Sequence, residues 1–321
     1  MRMPSRSSFA LIIAAAMLSA AARPAAAADD WPARPLNIVM PFGAGGMMDF
    51  AIRSLAQEFT KVLGQPVVIE PKPGAGGAVG TAAVARSEPD GYTLLVTAIG
   101  PVVFRPLLEP AAADAGRDMT PIIMIGDTPN VILASPKLGV NTMPELIAYA
   151  RAHNNRLNIG HPGAGTMGEF CGLALAAKAK IDGNMIAYRG AAQIIGDLAG
   201  GQIDIGTPAY GPGSEAVKIL ATGGDERFAA LPDVPTLKQS GIDLECATWI
   251  ALYGPPSLPR GIVDRLNAAA DVYLRKPETR EAFARIGLRP LGGSPERLRD
   301  RVAADRALWA PIVGDKRPPA K

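Results

Sequence analysis

The chain has 321 residues, of which 48% are hydrophobic, 20% charged and 5% aromatic. This balance is that of a globular protein, so it excludes an intrinsically disordered chain and a disulfide-rich scaffold. The formal net charge is +3, and without Arg2, Arg6 and Arg23 the remaining 30 basic residues balance 30 acidic ones. A nucleic-acid binder or a polybasic membrane-surface protein would keep a basic excess, so both classes are disfavoured.

Residues 1–28 predict a secretory signal peptide. Two early arginines precede an apolar run of 14 residues, and Ala26 and Ala28 supply the small residues of a cleavage site before Asp29. A transmembrane anchor is the alternative, but 14 residues are too few to span a bilayer without strain. We therefore expect a protein exported to the periplasm whose mature chain is soluble and has no membrane span.

The first part of the mature chain alternates predicted strands with predicted helices. Short apolar runs indicate strands at 37–40, 67–70 and 92–96, and helical spacing of apolar residues indicates helices at 51–63 and 79–86. Gly64 follows the first helix and is a typical helix stop. This alternation predicts an α/β unit with a parallel sheet.

The same alternation restarts further along the chain. Strands are predicted at 122–125, 131–133, 157–159, 185–187 and 203–205, with helices at 143–153, 168–179 and 191–199. A later strand at 249–253 and three C-terminal helices have no sheet of their own, so we expect them to return to the first unit. The prediction is lobe 1 from 29–127 plus 223–321, lobe 2 from 128–222, and a hinged cleft between them.

The two cysteines, Cys171 and Cys246, could form a disulfide in an exported protein. Cys171 lies in a small-residue helical segment, and Cys246 lies in a strand-like run 75 residues later. These contexts favour two separate buried thiols over a bond between them.

Two glycine-rich turns share one design, in which a strand leads through the turn into a helix. Their sequences are PFGAGGMMD at 41–49 and GHPGAGTMGE at 160–169. The start of a helix exposes unpaired N–H groups and a partial positive charge, and glycine lets a ligand approach the backbone. If the turns face each other across the cleft, they suit a small carboxylate, or a dicarboxylate held at both ends.

Purely structural roles compete with these interpretations. Thr166 and Glu169 form the pattern of a helix capping box, and Asp49 could be a first-turn helix acid. Residues 163–168 also match GxGxxG, but a lone match is weak, and Asp182 lies too close to serve as the ribose ligand of a dinucleotide.

Catalytic patterns are scarce in the sequence. His161 stands at a strand end beside a glycine turn, where it could contact a ligand, but no other residue has metal-ligand spacing with it. There is no G-x-S-x-G motif and no evident carboxylate pair. The sequence therefore favours a binding protein without enzyme activity, metal or cofactor.

Several segments are similar to the substrate-binding subunits of tripartite tricarboxylate transporters, the Bug or TctC-like family. They are PFGAGGMMD, KPGAGGAVGTAAVARSEPDGYTLL, RGAAQIIGDLAGGQIDI, LPDVPTLKQSG and RLNAAADVYLRKPETREAFARIGLRPLGGSPERL. The resemblance covers roughly residues 30–312. It implies an α/β periplasmic binding protein of the two-lobed, type II-like kind, a monomer whose partners are integral membrane subunits.

The resemblance implies ligand contacts from four parts of the chain, two of which are the glycine turns. The predicted contacts are Phe42, Ala44, Gly45, Gly46, Met47, Met48 and Asp49; Thr97, Ile99, Gly100 and Pro101; His161, Gly163, Ala164, Gly165 and Thr166; and Arg189, Thr207 and Pro208.

Departures from the family pattern make the predicted pocket more apolar. Met47 and Met48 stand where relatives carry a small hydroxyl residue, and Thr207 and Pro208 follow GQIDI where many relatives carry an Asp. We therefore expect a mono- or dicarboxylate with an apolar body, and weak binding of amines. The alternatives are a ligand sensor that signals to a membrane protein and an exported α/β enzyme.

Overall fold

The computed structural model describes residues 31–44, 46–109 and 115–314. The predicted signal peptide and Gly45 lie outside these residues. Across the described ranges, no helix combines the length and the apolar character needed to cross a membrane.

Two mixed β-sheets organise the described part of the chain. Their strands are β1 (Leu36–Met40), β2 (Val67–Pro71), β3 (Thr93–Ala98), β4 (Thr120–Pro129), β5 (Val131–Ala134), β6 (Arg156–His161), β7 (Asp182–Ala187), β8 (Ile205–Gly206), β9 (Lys218–Thr222), β10 (Ala247–Gly254) and β11 (Arg289–Pro290). The predicted α/β class is confirmed. The predicted strand at 203–205 is displaced, because pairing begins only at Ile205.

The first sheet has the strand order β2-β1-β3-β10-β4-β11. β1 is parallel to β2 and β3, whereas β10 runs antiparallel between β3 and β4. Both faces of this sheet are covered: Val39 and Leu95 face one apolar cluster, and Ile38 and Leu94 face another. Burial on both faces explains why these strands read as continuous apolar runs rather than as alternating ones.

The second sheet has the order β7-β6-β8-β5-β9. β6 is parallel to β7 and β8, and β5 runs antiparallel to β8 and β9. In each sheet the parallel strands therefore lie on one side, and the strands that lead to the other sheet lie towards the opposite side. These connecting strands are β4 and β10 in the first sheet and β5 and β9 in the second.

Helices cover the two sheets. The α-helices are α1 (Met47–Leu63), α2 (Ala78–Ala85), α3 (Arg105–Leu108), α4 (Ala115–Asp118), α5 (Met143–Ala152), α6 (Met167–Ala179), α7 (Ala191–Gly200), α8 (Arg260–Arg275), α9 (Pro277–Ala284) and α10 (Pro295–Gly314). The predicted stop of α1 is confirmed, because Gly64 has φ 74° and its N–H donates to the Thr60 carbonyl.

An aromatic cluster joins elements of both sheets. Phe104 follows β3, and its ring lies 4.3 Å from that of Phe170 in α6 and 5.5 Å from that of Trp309 in α10. All three side chains are almost fully buried. The C-terminal helix therefore contributes to an apolar core that is continuous from one sheet to the other.

The chain passes between the sheets twice, and the two passages are bonded to each other. The Gly223 N–H donates to the Asn130 carbonyl at 2.7 Å, Asn130 N–H to the Cys246 carbonyl at 3.0 Å, and Cys246 N–H to the Gly223 carbonyl at 2.8 Å. We call this meeting point of the two passages, at Asn130, Gly223 and Cys246, the hinge. The predicted boundaries between the lobes, at 127/128 and 222/223, stay a prediction. A boundary of this kind concerns which parts of the chain move together, and the hydrogen bonds describe only where the passages meet.

The prediction of two separate thiols was wrong, because Cys171 and Cys246 form a disulfide. Their Cα atoms are 5.7 Å apart, a usual separation for a disulfide. Cys171 lies in α6 and Cys246 lies in the hinge, so the bond ties the second sheet's helix to the passage between the sheets. Sequence contexts could not reveal a contact made between elements so far apart in the chain.

We expect reduction of this disulfide to lower the free energy of unfolding by about 4 kcal/mol, since the bond closes a loop with a sequence separation of 75 residues. Urea unfolding with and without a reductant measures the change. The Cys171→Ala/Cys246→Ala double variant is the control and should not respond to the reductant. Coincident curves for the oxidised and reduced wild-type protein would contradict the prediction.

Candidate functional site

The first glycine turn leads into α1 with no side-chain cap. Gly46 is the N-cap residue and has extended backbone angles, and Met47 begins the helix. Asp49 is buried in the first turn and accepts a hydrogen bond from Arg53 Nε at 2.7 Å. Asp49 is therefore committed to an ion pair within its own helix, as the first-turn interpretation predicts.

Apolar side chains surround this turn. Met47 and Met48 are half-buried and pack against the core of the first sheet, so part of each side chain serves the core. A Cβ atom built on Gly77 would lie 2.8 Å from Pro101 Cγ and 3.3 Å from Phe42 Cζ. Phe42, Pro101 and the Gly77 backbone thus form one apolar wall.

The segment 73–77 was missed as a site element in the sequence, where it reads only as a connecting loop. The structure places it at the cleft: a Cβ atom on Gly76 would lie 3.8 Å from the carbonyl oxygen of Ala164 in the second glycine turn. Positive φ values at Gly76 and Gly77 require this glycine-rich composition. The sequence signal that could have revealed this element is its PGAGG motif, which is similar to the PGAGT of the second glycine turn.

The second glycine turn is fixed by a cap on α6. Thr166 Oγ1 accepts from the Glu169 N–H at 3.3 Å, and the Glu169 carboxylate accepts from the Gly165 N–H at 2.8 Å. The Thr166 hydroxyl donates to the Gly163 carbonyl at 2.7 Å. The predicted capping role is confirmed. The cap uses the N–H groups of Gly165 and Glu169. The N–H groups of Met167 and Gly168 have no acceptor among the described residues.

The two sheets bring their ligand loops into contact. A Cβ atom built on Gly100, directly after β3, would lie only 2.8 Å from the Gly165 carbonyl oxygen. Only glycine lets the backbone after β3 approach the second glycine turn this closely. The structure therefore brings the two loops together across the cleft.

Four predicted contacts at the strand ends are deeply buried. Ile99 belongs to the apolar core, and Pro208 is buried as well. The Thr207 hydroxyl donates to the Gly168 carbonyl at 2.7 Å, so it supports the α6 turn from below. Thr97 is fully buried, and its hydroxyl has no hydrogen-bond partner within the described part of the chain.

The remaining predicted contacts lie around the second turn. His161 is buried at the end of β6, with Nδ1 3.1 Å from the Gly163 carbonyl oxygen. Arg189 is exposed after β7, and its guanidinium has no acid within 4 Å in the described ranges. The preceding Tyr188 donates its hydroxyl to Asp197. Burial is the larger cause, and this hydrogen bond the smaller one, of the rise in the pKa of Tyr188 to about 12.

Comparison with known proteins assigns a class to this arrangement. BugT of Bordetella pertussis is 32% identical over 294 residues, which are 89% of this chain and 90% of BugT. An R. palustris protein solved with adipate is 29% identical with a TM-score of 0.81, over 89% of this chain and 98% of that one. MatC from Rhodopseudomonas palustris, solved with malate, is 29% identical with a TM-score of 0.77, over 88% and 100%.

The fold is that of periplasmic binding proteins: the periplasmic binding protein BugD is 31% identical with a TM-score of 0.77, over 89% of this chain and 98% of that one. Residues 51–316 also match the family model described as the tripartite tricarboxylate transporter family receptor. The chain belongs to that family.

We expect Gly100→Ala to weaken ligand binding by roughly tenfold, because the new methyl group would meet the Gly165 carbonyl and hold the loops apart, an overlap that costs about 1–3 kcal/mol. Calorimetry with adipate measures the loss. Gly196→Ala in α7 is the matched control, since no atom lies within 4 Å of its Cβ position. Equal affinities of the two variants would show that the loops do not need this approach.

Proposed function

We propose that the protein captures a small mono- or dicarboxylate with an apolar body in the periplasm and delivers it to the membrane subunits of a tripartite transporter. The observation that carries this proposal is the contact between the Gly100 backbone and the Gly165 carbonyl. It brings the backbone after β3 of the first sheet to the turn before α6 of the second sheet, so that backbone N–H groups from both sides can reach one ligand.

The donors for a first carboxylate are the amides at the start of α6. Met167 and Gly168 keep unpaired N–H groups there, within the described residues, and the partial positive charge of the helix adds to them. The Thr166 cap holds this turn rigid, so little ordering entropy is lost on binding. Backbone donors suit a carboxylate and offer nothing to an ammonium group.

Arg189 is the candidate partner for a second carboxylate. It follows β7, whose neighbour β6 carries the second glycine turn, and a Cβ atom on Gly163 would lie 3.6 Å from the Tyr188 carbonyl. Its guanidinium has no acidic partner in the described part, so a ligand carboxylate would not have to displace an existing ion pair. Because Arg189 is exposed at the edge of the cleft, it is placed to pair with the far end of an extended ligand.

The apolar wall decides what can stand between the two carboxylates. Phe42, Met47 and Pro101 offer no hydrogen bond to a hydroxyl or a central carboxylate, and leaving such a group buried and unpaired costs about 1–3 kcal/mol. The adipate-bound relative holds a dicarboxylate with a purely apolar chain, which supports this choice of ligand.

We expect adipate to bind at least about tenfold more tightly than citrate, since the cost of one unpaired polar group corresponds to that ratio. Calorimetry on one preparation compares the two acids under identical conditions, with 1,6-diaminohexane as the amine-bearing control that should not enter the cleft. Tighter binding of citrate would place Met47 and Met48 in the core beneath the turn and away from the ligand.

We expect Arg189→Gln to weaken adipate binding by about tenfold and to leave hexanoate binding unchanged, because only the dicarboxylate reaches the rim. The matched control is Arg151→Gln, an exposed arginine on α5. An equal loss for both acids would mean that Arg189 acts on the cleft in general and does not pair with the second carboxylate.

A further inference from the structure

A cavity of about 380 Å³ lies on the opposite side of the hinge from the ligand cleft. The cleft is built at β1, β3 and β6, whereas the cavity is lined by the end of β4, by β11 and by the segment after β9. In the first sheet the order β1-β3-β10-β4-β11 places the hinge strands between the two sites. The cavity is therefore separate from the carboxylate site.

The cavity walls come from both sides of the hinge. Phe228 packs in the core of the second sheet, with its ring 5.6 Å from that of Tyr210. Leu288 and Ala284 form the opposite wall and belong to the first sheet's side. These apolar groups leave a space large enough for a small molecule with an aliphatic side chain.

Most charged groups of the cavity are already paired. Arg289 donates to both carboxylate oxygens of Asp127 at 2.8 Å and to Glu226 at 2.9 Å, and Asp225 lies 3.8 Å away. The Asp127 carboxylate is the main reason that the pKa of Arg289 is raised above its ordinary value. A second lining arginine, Arg227, donates to Gln239 and to the Pro232 carbonyl.

Three charged groups of the lining keep unused capacity. Arg301 donates to Asp305 through Nε alone, which leaves its terminal N–H groups available. Neither Arg280 nor Glu245 has a side-chain hydrogen bond or an ion pair with any described residue. The cavity thus presents spare donors for a carboxylate and one spare acceptor for a cation.

We propose that this cavity binds a zwitterionic α-amino acid with an apolar side chain. Its carboxylate pairs with Arg280 and Arg301, its ammonium group with Glu245, and its side chain packs between Phe228 and Leu288. Four arginines and four acids line the cavity, so its formal charge is zero and neither a simple anion nor a simple cation is favoured. A ligand with only one charge would form ion pairs at one end only, with the two arginines or with Glu245, and would therefore bind more weakly.

Calorimetry with L-leucine tests the site on protein saturated with adipate, which occupies the cleft, beside 4-methylpentanoate and 3-methylbutylamine, which each lack one charge. Leucine should bind at one site per chain, and each analogue should bind at least about tenfold more weakly. Glu245→Gln and Arg280→Gln should each weaken leucine binding by a similar factor. Both side chains lack partners in the described protein, so neither change threatens folding.

Asp243→Asn and Arg285→Gln are the matched controls, because both side chains are exposed and neither lines the cavity. Both should bind leucine as the wild-type protein does. Failure of leucine to bind, or undiminished binding by Glu245→Gln and Arg280→Gln, would overturn the proposal. The latter result would place leucine at a site other than this cavity.

Discussion

Three backbone hydrogen bonds among Asn130, Gly223 and Cys246 are the constraint on which the rest of the molecule depends. They join the two passages between the sheets at one place, and the disulfide from Cys246 fixes α6 to the same place. A Cβ atom on Gly223 would overlap the carbonyl oxygen and the sulfur of Cys246, so only glycine allows this crossing. The position of the second glycine turn, at the start of α6, follows from that attachment.

The cleft binds through its backbone more than through its side chains. The acids nearest to it are already used, because Asp49 pairs with Arg53 and Glu169 accepts from the Gly165 amide. What remains is a set of amides at helix starts, which prefer an anion and cost nothing to order. An ammonium group would find no free carboxylate at either turn, which is the physical basis for expecting a carboxylate ligand without an amine.

Local patterns in the sequence predicted the elements that local physics determines. The stop at Gly64, the Thr166 cap and the two glycine turns depend on residues that are close in the chain, and each is found where it was expected. Contacts between distant segments were beyond such patterns. The Cys171–Cys246 bond was wrongly rejected, and the approach of Gly76 to Ala164 had no local signal. The Thr207 hydroxyl supports the turn of α6, which had no local signal either, and its contact with a ligand stays a prediction.

The hinge also relates the cleft to the cavity behind it. If the two lobes rotate about the strands that lie between the two sites, the rotation that widens one site narrows the other. In this structure the glycine loops touch at Gly100 and Gly165, and the cavity beside Arg289 is open. Any group that fills the cavity opposes rotation in the direction that separates the loops. On this geometry the affinity of the cleft would depend on the packing behind the hinge as well as on the residues that contact its ligand.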